Sequence, residues 1–381
     1  MTTTTPHYPL AILGGGLGGL TLARVLHVHG LDAAVFDLEP SAAARTQGGM
    51  LDIHEESGQQ ALRAAGLHEQ FEQLIHPGGQ AVRLLGPDGT VHHAEEDDGT
   101  GGRPEVDRGA LRALLLGSLP AGTVHWGRKA TAVTPLAGGR HRVDFADGSA
   151  LTTDLLIGAD GAWSKVRPLL SDAVPAYTGI SFVEADLHDA PARHPRATDL
   201  IGGGFFLALG GGCGFLAHRE PDGSIHVYAA VKAPEEWAAG LAGAPLRTAA
   251  LDAFAGWSEE LRALLSDADG ELTLRRIHAL PVGHRWAHTP GVTLLGDAAH
   301  LMSPFAGEGA NLAMQDGAEL ALALLAHPGD PAAALVAHEE AMFERAAAAA
   351  AESAGSLETM FGPAPVPALL DLFAPGAAAA R

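Results

Sequence analysis

Glycines and carboxylates placed at the ends of apolar runs are the groups in this sequence whose spacing could do chemistry, and three such sets occur. The first is Gly14-Gly15-Gly16-Leu17-Gly18-Gly19, a G-x-G-x-x-G match. An apolar run over residues 10–13 precedes it, and Leu22, Val25 and Leu26 follow at helical spacing. A second strand, residues 33–36, ends at Asp37. Gly14 permits the tight turn, Gly16 lets main chain approach a diphosphate, and Gly19 lets the helix lie close on the strand. The N–H groups that open that helix point at phosphates. Asp37 stands where a carboxylate accepts bonds from a ribose hydroxyl. A merely structural glycine turn would need none of this context. The stretch therefore reads as a dinucleotide site.

The second set follows the apolar run Leu155-Leu156-Ile157: Asp160-Gly161, then Ser164 and Arg167. Gly161 allows close backbone approach and Asp160 can bond a hydroxyl. Arg167 can orient the loop by ion pairing. The third is Gly296-Asp297, followed by Ser303-Pro304-Phe305-Ala306-Gly307-Glu308-Gly309-Ala310-Asn311. Its carboxylate again stands at a strand's carboxyl end, where open α/β sheets bind ligands. The Pro- and Gly-rich loop then delivers N–H groups at the start of a long helix, which stabilises negative charge. If a flavin ring lies there, its reduced anionic form is favoured without a titrating side chain.

The elements that must position these sets are legible in outline. Helices are predicted over 57–65, with Gly66 at its C-cap, and from Arg108, with Leu111, Leu114 and Leu115 on one face and Arg108 and Arg112 on another. Residues 82–85 and 90–93 flank a hairpin signal, Gly86-Pro87-Asp88-Gly89. Strands are expected over 131–136, 141–145, 151–157, 205–209, 214–218, 225–231, 272–279 and 292–295. One helical piece, 246–266, interrupts the strand-rich stretch. Two Ala-rich helices, 310–326 and 331–358, precede a loosely structured tail over 363–375. The fold class is α/β: a Rossmann-like nucleotide domain interleaved with a mostly antiparallel sheet. The first takes residues 1–72, 101–170 and 280–325, the second takes 73–100 and 171–279, and 326–381 form a bridging helix and tail.

Composition narrows the function. The 381 residues carry a formal net charge of −21, which argues against nucleic acid and anionic membrane surfaces. One cysteine, Cys213, excludes an internal disulfide framework and fits the cytoplasm. The N-terminus lacks the cationic start of a secretory signal. No H-E-x-x-H or G-x-S-x-G occurs, so neither a metal nor a serine nucleophile is expected.

In this order and spacing the three sets resemble the flavoprotein aromatic-hydroxylase family, whose best-known fold type is para-hydroxybenzoate hydroxylase. A closer resemblance is to the tetracycline-inactivating flavin monooxygenases. It rests on A-R-T-Q-G-G-M-L-D-I-H (44–54), S-G-Q-Q-A-L (57–62), R-G-A-L-R-A-L-L (108–115), T-G-I-S-F-V-E-A-D-L-H (178–188), P-E-E-W (234–237) and G-D-A-A-H-L-M-S-P-F-A-G-E-G-A-N (296–311). The resemblance implies FAD as cofactor and NADPH, or NADH, as electron donor. Dioxygen would add to the reduced ring at C4a, and hydroxyl would pass to an aromatic or polycyclic substrate. It implies that Arg45 meets NADPH and that Asp52, Arg108 and Asp297 meet FAD, with Gly309, Ala310 and Asn311 beside them. Glu184 would contact substrate. The loop at Pro304, Gly307 and Glu308 and the sheet around Phe206 and Phe215 would form the reaction chamber. No side chain need be a nucleophile, and a monomer is expected. A flavin dehydrogenase or reductase of the same fold, and a flavin-binding protein without turnover, are the alternatives.

Two departures stand out. Glu308 lies where the relatives usually carry Gln, and a carboxylate there opposes an anionic flavin unless it points outward or is protonated. Gly210-Gly211-Gly212-Cys213-Gly214 lies where the tetracycline enzymes present a basic side chain.

Overall fold

A computed structural model describes residues 5–44 and 49–373, with side chains to 371. The chain begins β1 (His7–Leu13), α1 (Leu17–Val28), β2 (Ala34–Phe36), β3 (Met50–Asp52), α2 (Gly58–Ala64) and α3 (His68–Glu72). It continues β4 (Val82–Leu85), β5 (Val91–Glu95), β6 (Glu105–Asp107), α4 (Arg108–Gly117), β7 (Val124–His125), β8 (Ala130–Pro135), β9 (His141–Phe145) and β10 (Ala150–Gly158). Next come β11 (Ala176–Leu187), α5 (Ala190–Arg193), α6 (Pro195–Ile201), β12 (Phe205–Gly210), β13 (Cys213–Arg219) and β14 (Ile225–Lys232). The last elements are α7 (Gly243–Ala253), α8 (Glu259–Ser266), β15 (Asp269–Ala279), β16 (Val292–Leu294), α9 (Asp297–His300), α10 (Glu308–Ala326), α11 (Pro331–Met360) and α12 (Pro365–Phe373).

One sheet runs β7-β2-β1-β10-β9-β8, with β16 pairing the C-terminal end of β10 on the edge whose other end pairs with β9. β2, β1, β10 and β16 are parallel neighbours, so the three glycine–carboxylate sets leave the same edge of one sheet. Both faces of that sheet are covered, which is why its central strands read as unbroken apolar runs. On one face Leu20, Leu22, Val25 and Leu26 of α1 pack with Leu62, Leu111, Leu115, Met314 and Leu320. On the other, Leu13, Leu156 and Leu294 pack with Trp286, Ala298 and Met342. Helices α1 and α10 cross where both are glycine: a Cβ on Gly317 would collide with Gly18 O, and one on Gly18 with Ala313 O.

The second sheet runs β15-β11-β14-β13-β12-β4-β5 and is antiparallel except between β12 and β4. Side chains alternate across its two faces. One face carries Val183, Ala185, Phe206, Phe215, Val227 and Ala229 against α7 and α8. The other carries Phe182, Leu207, Leu216 and Ala230, with Phe361 and Val366 from the chain's end. Among the described residues no helix is long and apolar enough to cross a membrane.

Three expectations give way. The stretch 363–375 is not loose over its described part: α12 forms because Val366, Leu369 and Leu370 find the second sheet's apolar cluster, and Pro365 and Pro367 sit in the first turn, where proline is tolerated. The piece 246–266 is two helices, interrupted at Gly256 (φ +88°) and restarted by Ser258, whose Oγ caps Leu261 N. Arg112 does not share an outer face with Arg108; it is buried beside Leu111 and Leu115.

Candidate active site

Gly14 leaves β1 at φ +109°, a conformation that favours glycine, and a Cβ there would collide with Ala159 O of the second set. One on Gly19 would collide with Gly14 O, so the third glycine is what lets α1 sit on the strand. Gly16 is different: nothing lies within 4 Å of the position a Cβ would take. The turn is thus closed on the protein side and open where a diphosphate would pass. Asp37 is buried and accepts from Gly15 N at 2.7 Å and from Glu39 N at 2.8 Å. Arg112, which sequence spacing did not single out, donates to Gly15 O (3.1 Å) and Ala42 O (3.3 Å) and lies 4.0 Å from Asp37. It braces the loop from beneath. Arg45 lies outside the described residues.

The second set joins the first through Ala159 N, which donates to Leu13 O at 2.8 Å. Asp160 Oδ2 accepts from Lys165 N at 2.6 Å, whereas Oδ1 is buried with no partner. Burial pushes this carboxyl above its ordinary range, against hydrogen bonds that pull it down. An unsatisfied carboxylate oxygen is costly, and a hydroxyl from a bound group would relieve it. Gly161 (φ +75°) makes the turn. Arg167 orients the loop, but through carbonyls rather than an ion pair: it donates to Ala162 O (2.6 Å), Ala298 O (3.0 Å) and Ala173 O (3.2 Å). The contact with Ala298 O ties the second set to the third.

In the third set Gly296 (φ +57°) turns the chain into Asp297. Solvent reaches Asp297, yet protein crowds it on most sides; desolvation pushes its carboxyl upward, against the positive fields of His300 and Arg108. Asp316 fixes the turn by accepting from Gly296 N (3.0 Å) and His300 (2.6 Å), and Arg345 of α11 holds its other oxygen at 3.0 Å. Pro304 is exposed in a short 3-10 turn, and Gly307 (φ +70°) bends directly into α10. Gly309 has open space around it. Asn311 is fully buried: its Oδ1 accepts from His54 N (2.9 Å) and its Nδ2 donates to Asp52 O (2.8 Å) and Gly307 O (3.3 Å). Its side chain is therefore a clamp between β3 and the loop.

Asp52 sits beneath Gly307, where an added Cβ would lie 3.0 Å from Asp52 Oδ2. Arg108 opens α4, its exposed side chain placed so that its charge is felt at both Asp297 and Tyr228. It marks the junction between the nucleotide edge and the second sheet.

On the second sheet, Glu184 pairs in register with Tyr228, and its carboxylate meets Arg275 Nε at 2.8 Å. Phe182, on the same face, touches Tyr228 and Phe305, with centroids 5.2 and 5.8 Å apart. Asp186 and His226 form a second pair at 2.6 Å. His218 stacks on Phe205 at 4.6 Å, and burial holds its imidazole down at about 4, so it is neutral. Phe206 and Phe215 are not part of this surface. They are fully buried on the opposite face, Phe215 stacked on Phe254 at 4.2 Å, because residues one apart on a strand point opposite ways. The glycine-rich stretch 210–214 is the β12–β13 hairpin: Gly211 (φ +61°) and Gly212 (φ +79°) are its two central residues, both at positive φ.

Comparison with known proteins adds to this geometry. The family model described as FAD binding domain matches residues 7–352. Monooxygenase asqM of Emericella nidulans is 33% identical over 370 residues, spanning 82% of this chain and 83% of that protein. A 3-amino-4-hydroxybenzoate 2-monooxygenase of Streptomyces cremeus is 29% identical over 356 residues, spanning 89% and 84%. Klebsiella pneumoniae HpxO, solved with FAD and uric acid, matches the fold with a TM-score of 0.78 at 23% identity, over 95% of this chain and 90% of that one. The tetracycline destructase Tet(51) does so with a TM-score of 0.72 at 18% identity, over 94% and 92%.

Proposed function

The chain belongs to the FAD binding domain family of aromatic-hydroxylase flavoproteins, whose relatives named above are monooxygenases, and on that premise we propose that it hydroxylates an aromatic or polycyclic small molecule, with NADPH as electron donor and dioxygen as oxidant. The observation that carries this reading is the convergence of three parallel strand ends, β1, β10 and β16, on one edge that faces the Phe182–Tyr228 surface of the second sheet. The segments of the first sheet are the FAD domain, those of the second the substrate domain, and α11 joins them.

In this reading FAD, when bound, supplies the oxygen-activating redox chemistry. The chain's own residues bind, orient and exclude water. The open side of Gly16 and the first N–H groups of α1 hold the diphosphate. Asp37 accepts from the ribose with the oxygen lone pairs left beside Gly15 N and Glu39 N. Asp160 Oδ1 takes a hydroxyl, and Arg45 meets the phosphates of the electron donor. Asp52, Arg108 and Asp297 line the middle of the cofactor. The first turn of α10, at Gly309, Ala310 and Asn311, stabilises negative charge at its far end. Phe182, Tyr228 and Phe305 stack on a planar substrate, and Glu184 with Arg275 presents both an acceptor and a donor to its polar edge. Pro304 and Gly307 set the distance between substrate and ring. The protein acts as a cytoplasmic monomer.

The test is substrate-stimulated NADPH consumption across phenols, aminophenols and polycyclic antibiotics, with labelled dioxygen. Yellow protein and a product heavier by one oxygen atom from O2 are expected. Stimulated consumption with no label in product would make the chain a dehydrogenase of the same fold. Protein that stays colourless after reconstitution with FAD would overturn the reading altogether.

A further inference from the structure

His54 is the most heavily surrounded titratable group near the site, and nothing above gives it a task. Its side chain is fully buried. Nε2 lies 2.9 Å from Asp52 Oδ2, and Nδ1 lies 3.3 Å from Glu308 Oε1. Its own backbone N–H is held by Asn311. Every charged neighbour is acidic: Asp52 on β3, Glu308 on α10, and Glu105 on β6, which pairs with Asp52 across the two-stranded sheet. Glu308 is the residue that introduces a carboxylate into the first turn of α10, the turn whose N–H groups would face a flavin.

We infer that His54 is a charge-compensating residue: its imidazolium, gripped between Asp52 and Glu308, cancels the negative charge that Glu308 would otherwise add at the ring end of the cofactor site. This rests on the FAD reading above. It accounts for how a carboxylate can occupy that position. Glu308 does not turn out to bulk solvent; it faces the imidazole at 3.3 Å.

The electrostatics agree with the geometry. Burial alone would lower His54, but the bond to Asp52 and the close negative charges of Asp52 and Glu308 outweigh burial and lift it to about 9. Glu105, by contrast, is pushed up to about 8, first by burial and then by Asp52, with His54 opposing. The imidazole thus stands between Asp52 and Glu308, with Glu105 beside them across the two-stranded sheet.

The experiment has two arms. In the first, the His54 imidazole is titrated by NMR in wild-type protein and in Glu308→Gln, without FAD. Removing an opposite charge at this range should lower its proton affinity by roughly tenfold or more. No change would show that the two groups do not share a charge. In the second, the midpoint potential of bound FAD is measured for wild type, Glu308→Gln, His54→Gln and the double variant. His54→Gln should lower the potential, because Glu308 is left uncompensated. The double variant should return toward wild type, a non-additive result that a purely structural role would not give. Additive shifts would overturn the inference. If His54→Gln fails to fold, the wild-type potential above about pH 9 reads the same loss of charge, and a featureless pH dependence there overturns it equally. Failure to bind FAD at all would strike the functional reading, not this pairing, which the first arm tests alone.

Discussion

The loop after β1 and the Tyr228 face of the second sheet are built from opposite materials. In the loop every contact holds main chain: Gly15 N on the Asp37 carboxylate, Gly15 O under the Arg112 guanidinium, Ala159 N on Leu13 O. At its two ends there is no room for one more carbon, because a Cβ on Gly14 or Gly19 strikes a carbonyl. On the sheet face the partners are side chains in opposite-charge pairs, Glu184–Arg275 and Asp186–His226, around aromatic rings. A dinucleotide has one shape and can be met by a fixed backbone. Substrates differ among similar enzymes, and side chains on a conserved sheet can change without disturbing the fold. The loop should therefore fail abruptly on substitution, and the sheet face should respond by degrees.

Gly14→Ala is the largest expected break. A residue with a side chain at that φ costs about 1–3 kcal/mol, and displacing Ala159 adds a similar amount. About 4 kcal/mol against the bound form is roughly a thousandfold in FAD affinity. The protein should purify colourless and release added FAD on gel filtration. Retention of yellow colour would mean the loop is not rigid, and the contrast drawn above would be lost.

Phe215→Ala against Tyr228→Phe sharpens the division between the two faces of the sheet. Phe215 is fully buried against Phe254 and Trp257. Its truncation should cost about 3–5 kcal/mol in urea unfolding and leave the KM of any substrate unchanged in the folded fraction. Tyr228→Phe keeps the ring and removes one hydroxyl, so its stability cost stays near about 1 kcal/mol, while the substrate KM rises. The reverse pattern, KM following Phe215 and not Tyr228, would put the chamber on the other face.

These contrasts explain which parts of the molecule were legible in the sequence. The three glycine–carboxylate sets were, because a turn that requires glycine and a strand that must be apolar leave local marks. The hairpin and the two long helices were, through turn residues and periodicity. Phe206 and Phe215 lie on the face packed against α7 and α8, and which face of a strand meets a distant segment is not a local property; it is decided by the pairing of β12 with β13 and β4 and of β13 with β14. The task of Arg112 was not legible, because nothing near it in sequence announces that Gly15 O, on another segment, needs a donor. α12 was hidden by its prolines, which signal a loop unless an apolar surface elsewhere rewards a helix. The pairing of His54 was not legible, because its partner Glu308 is far along the chain. The one available cue was Glu308 itself, an acid in need of a counter-charge.

The smallest expected effect concerns the Asp186–His226 pair, and it tests whether the sheet face is tuned by degrees. Burial pulls His226 down, but the bond to Asp186 and the charges of Asp186, Glu184 and Glu220 outweigh it, so the imidazole is held above its ordinary 6.5. The stability this gives is fully present below 6.5 and is lost as pH rises through the raised folded value. Asp186 is held below its ordinary 3.8, chiefly by its bond to His226 and against burial. Its contribution is present above 3.8 and is lost as pH falls through the lower folded value. The pair therefore stabilises most between about pH 4 and pH 6.5 and weakens on the alkaline side. Asp186 is nearly half exposed, so solvent screening keeps the whole effect within about 1 kcal/mol. Urea midpoints for wild type should fall between about pH 6 and pH 8 relative to His226→Gln, whose own profile lacks that component. Parallel profiles would mean that the pair is bridged and screened by water, and that this face is set by shape alone.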